Sequence, residues 1–273
     1  MPTRSARRTP FIGGSRMTST SHRWRIPTTP VRRSALDALS ERLDVGAIHV
    51  WTISASNLDI VDECREYISP QEADEASRFL FERDYRNSVV SRGFRRMMLA
   101  RHTGKDPHAL RFAYGPQGKP SLADHPTVRF NVTHSGDVVM FAVTRGCEVG
   151  LDVEQMKSHR TPDDLEGIAK QAFSARERHD IARLPAVRRE AAFYRCWTEK
   201  EAFIKLVGAG MQFPLDAFDV EVDPDKPPAL LALRAPAPNA LPCGMASLAA
   251  PPGYMAAMAV RGAPVGICTF TLS

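Results

Sequence analysis

In the stretch "VGLDVEQ", Val149 to Gln155, two carboxylates stand two residues apart inside a run that otherwise reads as a buried strand. Side chains alternate on a strand, so Val149, Leu151 and Val153 form one apolar row and Gly150, Asp152 and Glu154 form the other. The two acids then lie side by side, roughly 6 to 7 Å apart at the backbone, next to a glycine that leaves room for something. Like charges so close repel, and the arrangement is tolerable on a face open to water or around a shared cation. A third acid, Glu201, lies in "AAFYRCWTEKEAFIKLVGAGM". Helical spacing there puts Phe193, Trp197 and Ile204 on an apolar face and sets Glu201 and Lys205 one turn apart on another. Alone, that pair is an ordinary surface ion pair. His134 in "NVTHS" reads alone as a structural loop histidine, and Glu177 in "AFSARERHD" as the glutamate of a capping box opened by Ser174.

The elements that must hold these groups follow from periodicity and punctuation. Ordered structure is expected to begin at "GAIHVWTI", a strand in which Ile48, Val50 and Thr52 alternate with His49 and Trp51. A long helical stretch is expected from the Ser-Pro signal near Ser69 to the break at Gly104. After "ALRFAYGP" and the turn "QGKPSL" come the strands "VRFNVTHS" and "VVMFAVT". The turn "RGCE" then leads into "VGLDVEQ", which is expected to pair antiparallel with "VVMFAV". The second half repeats the logic, with helices over about 164 to 207 broken near Pro185 and then strands such as "FDVEV", "ALLALR" and "YMAAMAV". The proline-rich "VDPDKPPALLALRAPAPNALPCG" reads as a surface loop with one short strand. The expected fold class is α+β, with a basic tail over residues 1–45 and two similar lobes, 46–144 and 145–273, and the paired acids near their junction.

Composition narrows the classes. With 43% hydrophobic and 25% charged residues, the 273-residue chain has the balance of a soluble globular protein. No window approaches the roughly 18 apolar residues of a membrane span, and the chain is expected to be cytoplasmic. Five scattered cysteines without a CxxC pair argue against a disulfide framework or a structural zinc site. The net charge of +5 is unevenly placed: eight arginines and no acid fall within residues 1–34, which leaves 28 basic against 31 acidic residues in the remainder, a net of −3. A nucleic-acid partner is therefore not expected. The arginine-rich start is expected to be disordered, and it resembles a transit peptide or sequence upstream of a start at Met17.

Four blocks in one order, "YGPQGKPSL", "FNVTHSGDVVMFAV", "VGLDVEQ" and "FYRCWTEKEAFIKLVGAGM", together with the preceding "RFLFERDYRNSVVSRGFRRMML", span about residues 47 to 260. In this the chain resembles the 4′-phosphopantetheinyl transferases of the two-lobed, surfactin-synthetase-activating type. The resemblance implies that Asp152, Glu154 and Glu201 hold a magnesium ion, a hard cation that takes oxygen ligands. It gives Arg92, Gly118, Lys119, Pro120, Thr133, His134 and Lys205 to coenzyme A, and arginine and lysine suit its phosphates. The implied reaction transfers 4′-phosphopantetheine to a serine of an apo acyl or peptidyl carrier protein and releases adenosine 3′,5′-bisphosphate. Lys205 and His134 would offset developing charge, with Glu201 as first candidate base and Glu177 as second. In well-known relatives basic residues precede the "RF" of the first-lobe helix, whereas Glu72 and Glu75 stand here, so Arg78, Arg86 or Arg92 are expected to compensate. The carrier is expected to meet the Arg95, Arg96 and Arg101 stretch of a monomeric enzyme. The competing reading is a non-catalytic module that binds carrier protein or coenzyme A. It would be signalled by loss of one of the three acids, and none is lost.

Overall fold

The computed structural model describes residues 28–30, 43–157, 160–235, 242–262, 264 and 266–272. Most of the arginine-rich start, which was expected to be disordered, lies outside the described residues. Its residues Thr28–Pro30, however, form a strand, β1.

The order of elements occurs twice. First come strand β2 (Ala47–Ser54), helices α1 (Leu58–Arg65), α2 (Pro70–Ser77) and α3 (Glu82–Thr103), the short hairpin β3 (Phe112–Tyr114) and β4 (Pro120–Leu122), and the long pair β5 (Val128–Ser135) and β6 (Val138–Arg145). Then follow β7 (Glu148–Gln155), α4 (Pro162–Ala172), α5 (Ala175–Arg183), α6 (Ala186–Val207), the short pair β8 (Phe218–Val220) and β9 (Leu230–Leu233), and the long pair β10 (Cys243–Leu248) and β11 (Tyr254–Arg261). A last strand, β12 (Gly266–Leu272), closes the chain. The fold is α+β. No helix of the described residues is long and apolar enough to cross a membrane.

Two sheets carry the structure, one ordered β1-β12-β2-β6-β5 and one ordered β10-β11-β7. Strand β12 runs parallel to β2, so the end of the chain returns to the sheet of the first half. The expected pairing of β7 with β6 is corrected. Both edges of β6 are taken, by β2 and β5, and β7 instead pairs antiparallel with β11, Asp152 opposite Ala257 and Glu154 opposite Met255. The free edge of β7 faces β5, where side chains replace a backbone ladder. The Leu151 amide donates to Asn131 Oδ1 at 2.9 Å and the Gln155 amide to Ser135 Oγ at 3.0 Å. Alternation on β5 aims Asn131, Thr133 and Ser135 at this seam.

The apolar row of β7 is buried between the sheets: Val149, Leu151 and Val153 share a core with Ile48, Val50, Met140 and Met258. On the opposite face of β7 lies α6. It approaches so closely at Gly150 that a Cβ there would sit 2.1 Å from the Ala202 carbonyl oxygen. The room that glycine leaves is filled by the helix bearing Glu201 and Lys205.

The single helical stretch expected from Ser69 to Gly104 is broken. Helix α2 starts on a capping box between Ser69 and Glu72 and stops after Ser77, and α3 starts at Glu82. The intervening Phe79, Leu80 and Phe81 are exposed. Helix α6 ends where Gly208 takes φ 69°, a left-handed cap that costs glycine little.

Candidate active site

The acids of β7 meet the cation of α6 across the β5–β7 seam. Lys205 Nζ donates to Asp152 Oδ1 at 2.5 Å and to Thr133 Oγ1 at 3.0 Å. The Thr133 hydroxyl in turn donates to Asp152 Oδ1 at 3.3 Å. Asp152 is 3% exposed, and its Oδ2 is buried with no hydrogen-bond partner. Burial pushes this carboxyl up to about 7; Lys205 opposes the shift, and the nearby Glu154 and Glu201 add to it. Glu201 is likewise raised, first by burial, with Lys205 lowering it and Glu154 raising it. The three acids therefore sense one another, and Lys205 serves Asp152 more directly than it serves its helical neighbour Glu201.

Glu154 is held at both oxygens: Ser135 Oγ donates to Oε2 at 2.9 Å and the Trp197 indole N–H to Oε1 at 3.2 Å. Neither partner was among the expected site residues. Ser135 continues the period-two row of Asn131 and Thr133, and Trp197 precedes Glu201 by one helical turn, so both signals were present in the sequence. Assigning Trp197 wholly to the apolar face missed its polar edge. As the side chains stand, no group of three or more carboxylate, imidazole or thiol side chains among the described residues is gathered closely enough to hold a metal ion. The donor chemistry nevertheless suits a hard cation: Asp152, Glu154 and Glu201 are coupled oxygen donors, and Asp152 Oδ2 has no other partner.

His134, on the other face of β5 from Thr133, lines a cavity of about 330 Å³ with Asp84, Ser88, Arg92 and Arg95. Partial enclosure and the Lys205 charge keep its imidazole below the usual range. Arg92 also lines a second cavity, of about 630 Å³, with Arg95, Arg96, Tyr114, Gly118 and Pro120. Its guanidinium donates to Glu75 at 2.9 Å and to Ser88 Oγ at 2.5 Å. Arg78 does not join it, since it pairs with Asp74, and Arg86 lines neither cavity.

Several of the expected residues have other partners in the structure. Arg95 and Arg96 do not form an open docking face: both are buried and bind the two oxygens of Glu72, at 2.8 and 2.6 Å. Burial acts to raise the Glu72 carboxyl, but hydrogen bonds from Arg96 and the Ser69 amide, and the charges of both arginines, hold it below its ordinary value. Glu177 does not join the acidic group. It is 1% exposed and accepts hydrogen bonds from the Ser174 and Val220 amides at 2.8 Å, with Lys200 Nζ also at 2.8 Å. Its carboxylate is a helix cap and ion-pair partner, and none of those partners belongs to the cluster. Lys119 does not line either cavity, although its neighbours Gly118 and Pro120 line the larger one.

Two family models match consecutive parts of the chain. Residues 50–146 match the family model "4′-phosphopantetheinyl transferase, N-terminal", and residues 148–259 match "4′-phosphopantetheinyl transferase superfamily". The chain is 34% identical over 206 residues to 4′-phosphopantetheinyl transferase psf-1 of Bacillus pumilus, covering 74% of this chain and 82% of that one. It is 31% identical to HetI of Nostoc, over 66% of this chain and 76% of HetI, and 31% identical to Sfp of Bacillus subtilis, over 70% and 81%. With both halves matched, and with the acids of β7 and the lysine of α6 falling inside the second match, the chain belongs to the Sfp-type 4′-phosphopantetheinyl transferases.

Proposed function

We propose that this chain transfers the 4′-phosphopantetheine group of coenzyme A to a serine of an apo acyl or peptidyl carrier protein, at the β5–β7 seam. The repeated order of elements supports two similar lobes in a pseudo-twofold arrangement, with that seam as the cleft between them. In the reaction the serine oxygen forms a bond to the phosphorus bearing pantetheine, the bridging P–O bond of the diphosphate breaks, and adenosine 3′,5′-bisphosphate leaves.

Transfer of this kind rests on alignment and charge stabilisation. Lys205, fixed by Thr133 and Asp152, presents an ammonium where the leaving phosphate gains charge. His134 and Arg92 share a cavity wall and can bind further phosphate oxygens. Glu201, half-buried and with a raised pKa, is the group best suited to take the serine proton. With both carboxylate oxygens of Glu177 engaged elsewhere, the case for a second base weakens. Asp152, Glu154 and Glu201 would hold a magnesium ion, which when bound neutralises charge on the diphosphate. The enzyme is proposed to act as a monomer.

The observation that carries the reading is the joined Lys205–Thr133–Asp152 contact beside two further coupled acids, in a chain of this family. Intact mass spectrometry of apo carrier proteins incubated with coenzyme A, magnesium and the purified protein tests it. The expected product is the phosphopantetheinylated carrier, and chelation of the metal should stop its formation. A panel of carriers that all remain apo would remove the reading in favour of a binding-only module.

A further inference from the structure

We infer that Lys119 is a positioning residue, a clamp that ties the turn of the first half to the strand and helix bearing the acids, and not a ligand of coenzyme A phosphate. The inference rests on the transferase reading above. It starts from the β3–β4 hairpin, where Tyr114 pairs with Pro120 and Gly118 turns the chain at φ 80°. Gly118 and Pro120 face the 630 Å³ cavity with Arg92, Arg95 and Arg96, and the residue between them points the other way. Lys119 Nζ donates to the Val149 carbonyl at 3.1 Å and to the Leu206 carbonyl at 3.0 Å, and Glu148 lies 3.8 Å away. Its three N–H donors thus face two carbonyls and a carboxylate of the second half.

Both carbonyls matter to the site. Val149 lies on β7 three residues before Asp152, and Leu206 directly follows Lys205 on α6. The Leu206 carbonyl is among the last four of the helix, which have no intrahelical donor and carry the negative end of its dipole, so an ammonium there caps the helix. The stem of Lys119 lies against Gly208, where an added Cβ would sit 3.4 Å from its Cδ. Gln117 adds a second tie from the same turn, donating to Gln212 Oε1 at 3.2 Å. One side chain therefore bonds to β7 and α6 at once, next to the residues that set the distance between Asp152 and Lys205.

A phosphate ligand and a clamp differ in what their loss changes. Lys119→Met keeps the stem and removes the donors. Its steady-state kinetics in varied coenzyme A, run well below its melting temperature, are to be compared with wild type, along with amide hydrogen exchange over residues 205–210. The clamp predicts a kcat lower by about tenfold, a KM for coenzyme A within about twofold of wild type, and faster exchange at the end of α6. A KM raised about tenfold at unchanged kcat would make Lys119 a phosphate ligand and overturn the inference. Unchanged kinetics with unchanged exchange would overturn it too. If Lys119→Met does not fold, Lys119→Gln, which removes the charge and keeps two N–H donors on a shorter side chain, is read by the same criteria. If the wild type shows no transfer at all, the transferase reading fails by itself, and exchange alone decides the clamp: faster exchange in the variant upholds it and unchanged exchange overturns it.

Discussion

Thr133 shows how a small group can organise larger charges. Its hydroxyl accepts from Lys205 and donates to Asp152, so it fixes the ammonium and the carboxylate together at the seam. Thr133→Val removes both bonds while keeping shape. With hydrogen bonds to charged groups worth about 1.5–3 kcal/mol, turnover should fall about ten- to a hundredfold with the fold retained, as read by kinetics and circular dichroism. At this scale the sequence singled out residues that the fold brings together and said less about their partners. Asp152, Glu154, Glu201 and Lys205 stood out by type and spacing, but helical spacing offered Glu201 as the partner of Lys205. The structure supplies Asp152, 53 positions away in the chain, because a strand from another sheet region crosses that helix face. Pairings of that kind are set by tertiary packing, which local periodicity does not encode.

At the scale of elements, the Ser174–Glu177 box does more than open α5. Glu177 caps its own helix, takes the Val220 amide of β8 and pairs with the fully buried Lys200 of α6, so one carboxylate ties three elements together. Glu177→Ala should lower stability by roughly 3–5 kcal/mol, because it strands a buried ammonium and frees two amides. The remaining folded enzyme should turn over at a wild-type rate per folded molecule. Urea unfolding with active-site-normalised kinetics checks both halves of that statement, and a lost kcat at unchanged stability would return Glu177 to catalysis. The capping box was legible as a four-residue signature. So were β2, β5 and β6, through their alternation. The gap at Arg78–Phe81 was not, since it contains neither glycine nor proline and its three apolar residues continue a helical reading. The partner of β7 was also hidden, because a strand that leaves a tight turn pairs with its predecessor only if that predecessor has an edge to offer.

The whole molecule is knit by long-range returns, β12 into the first sheet and β5 against β7, so its stability should respond as one unit. One half-buried group gives that response a pH signature. His102 is lowered to about 4 by burial first and then by His49, Arg145 and Arg101, so the fold holds it neutral. As pH falls below 6.5 the unfolded chain takes up the proton first. The stability associated with His102 is therefore full above pH 6.5 and is lost as pH falls through about 4. Urea unfolding between pH 7 and pH 4 should show a steeper loss for wild type than for His102→Asn, and parallel curves would contradict the assignment. The repeat of elements was visible in the sequence as two similar halves, whereas the exchange of β12 was not, because a parallel return from the end of the chain leaves no local mark. The central claim is that the acids of β7 and α6 do chemistry and are not a solvated face. The most direct measurement is the rate of phosphopantetheine transfer to an apo carrier protein, by intact mass, for wild type, Asp152→Asn and Glu201→Gln, each verified to be folded. Losses of about a hundredfold or more in both variants are predicted, and wild-type rates in either folded variant would contradict the account.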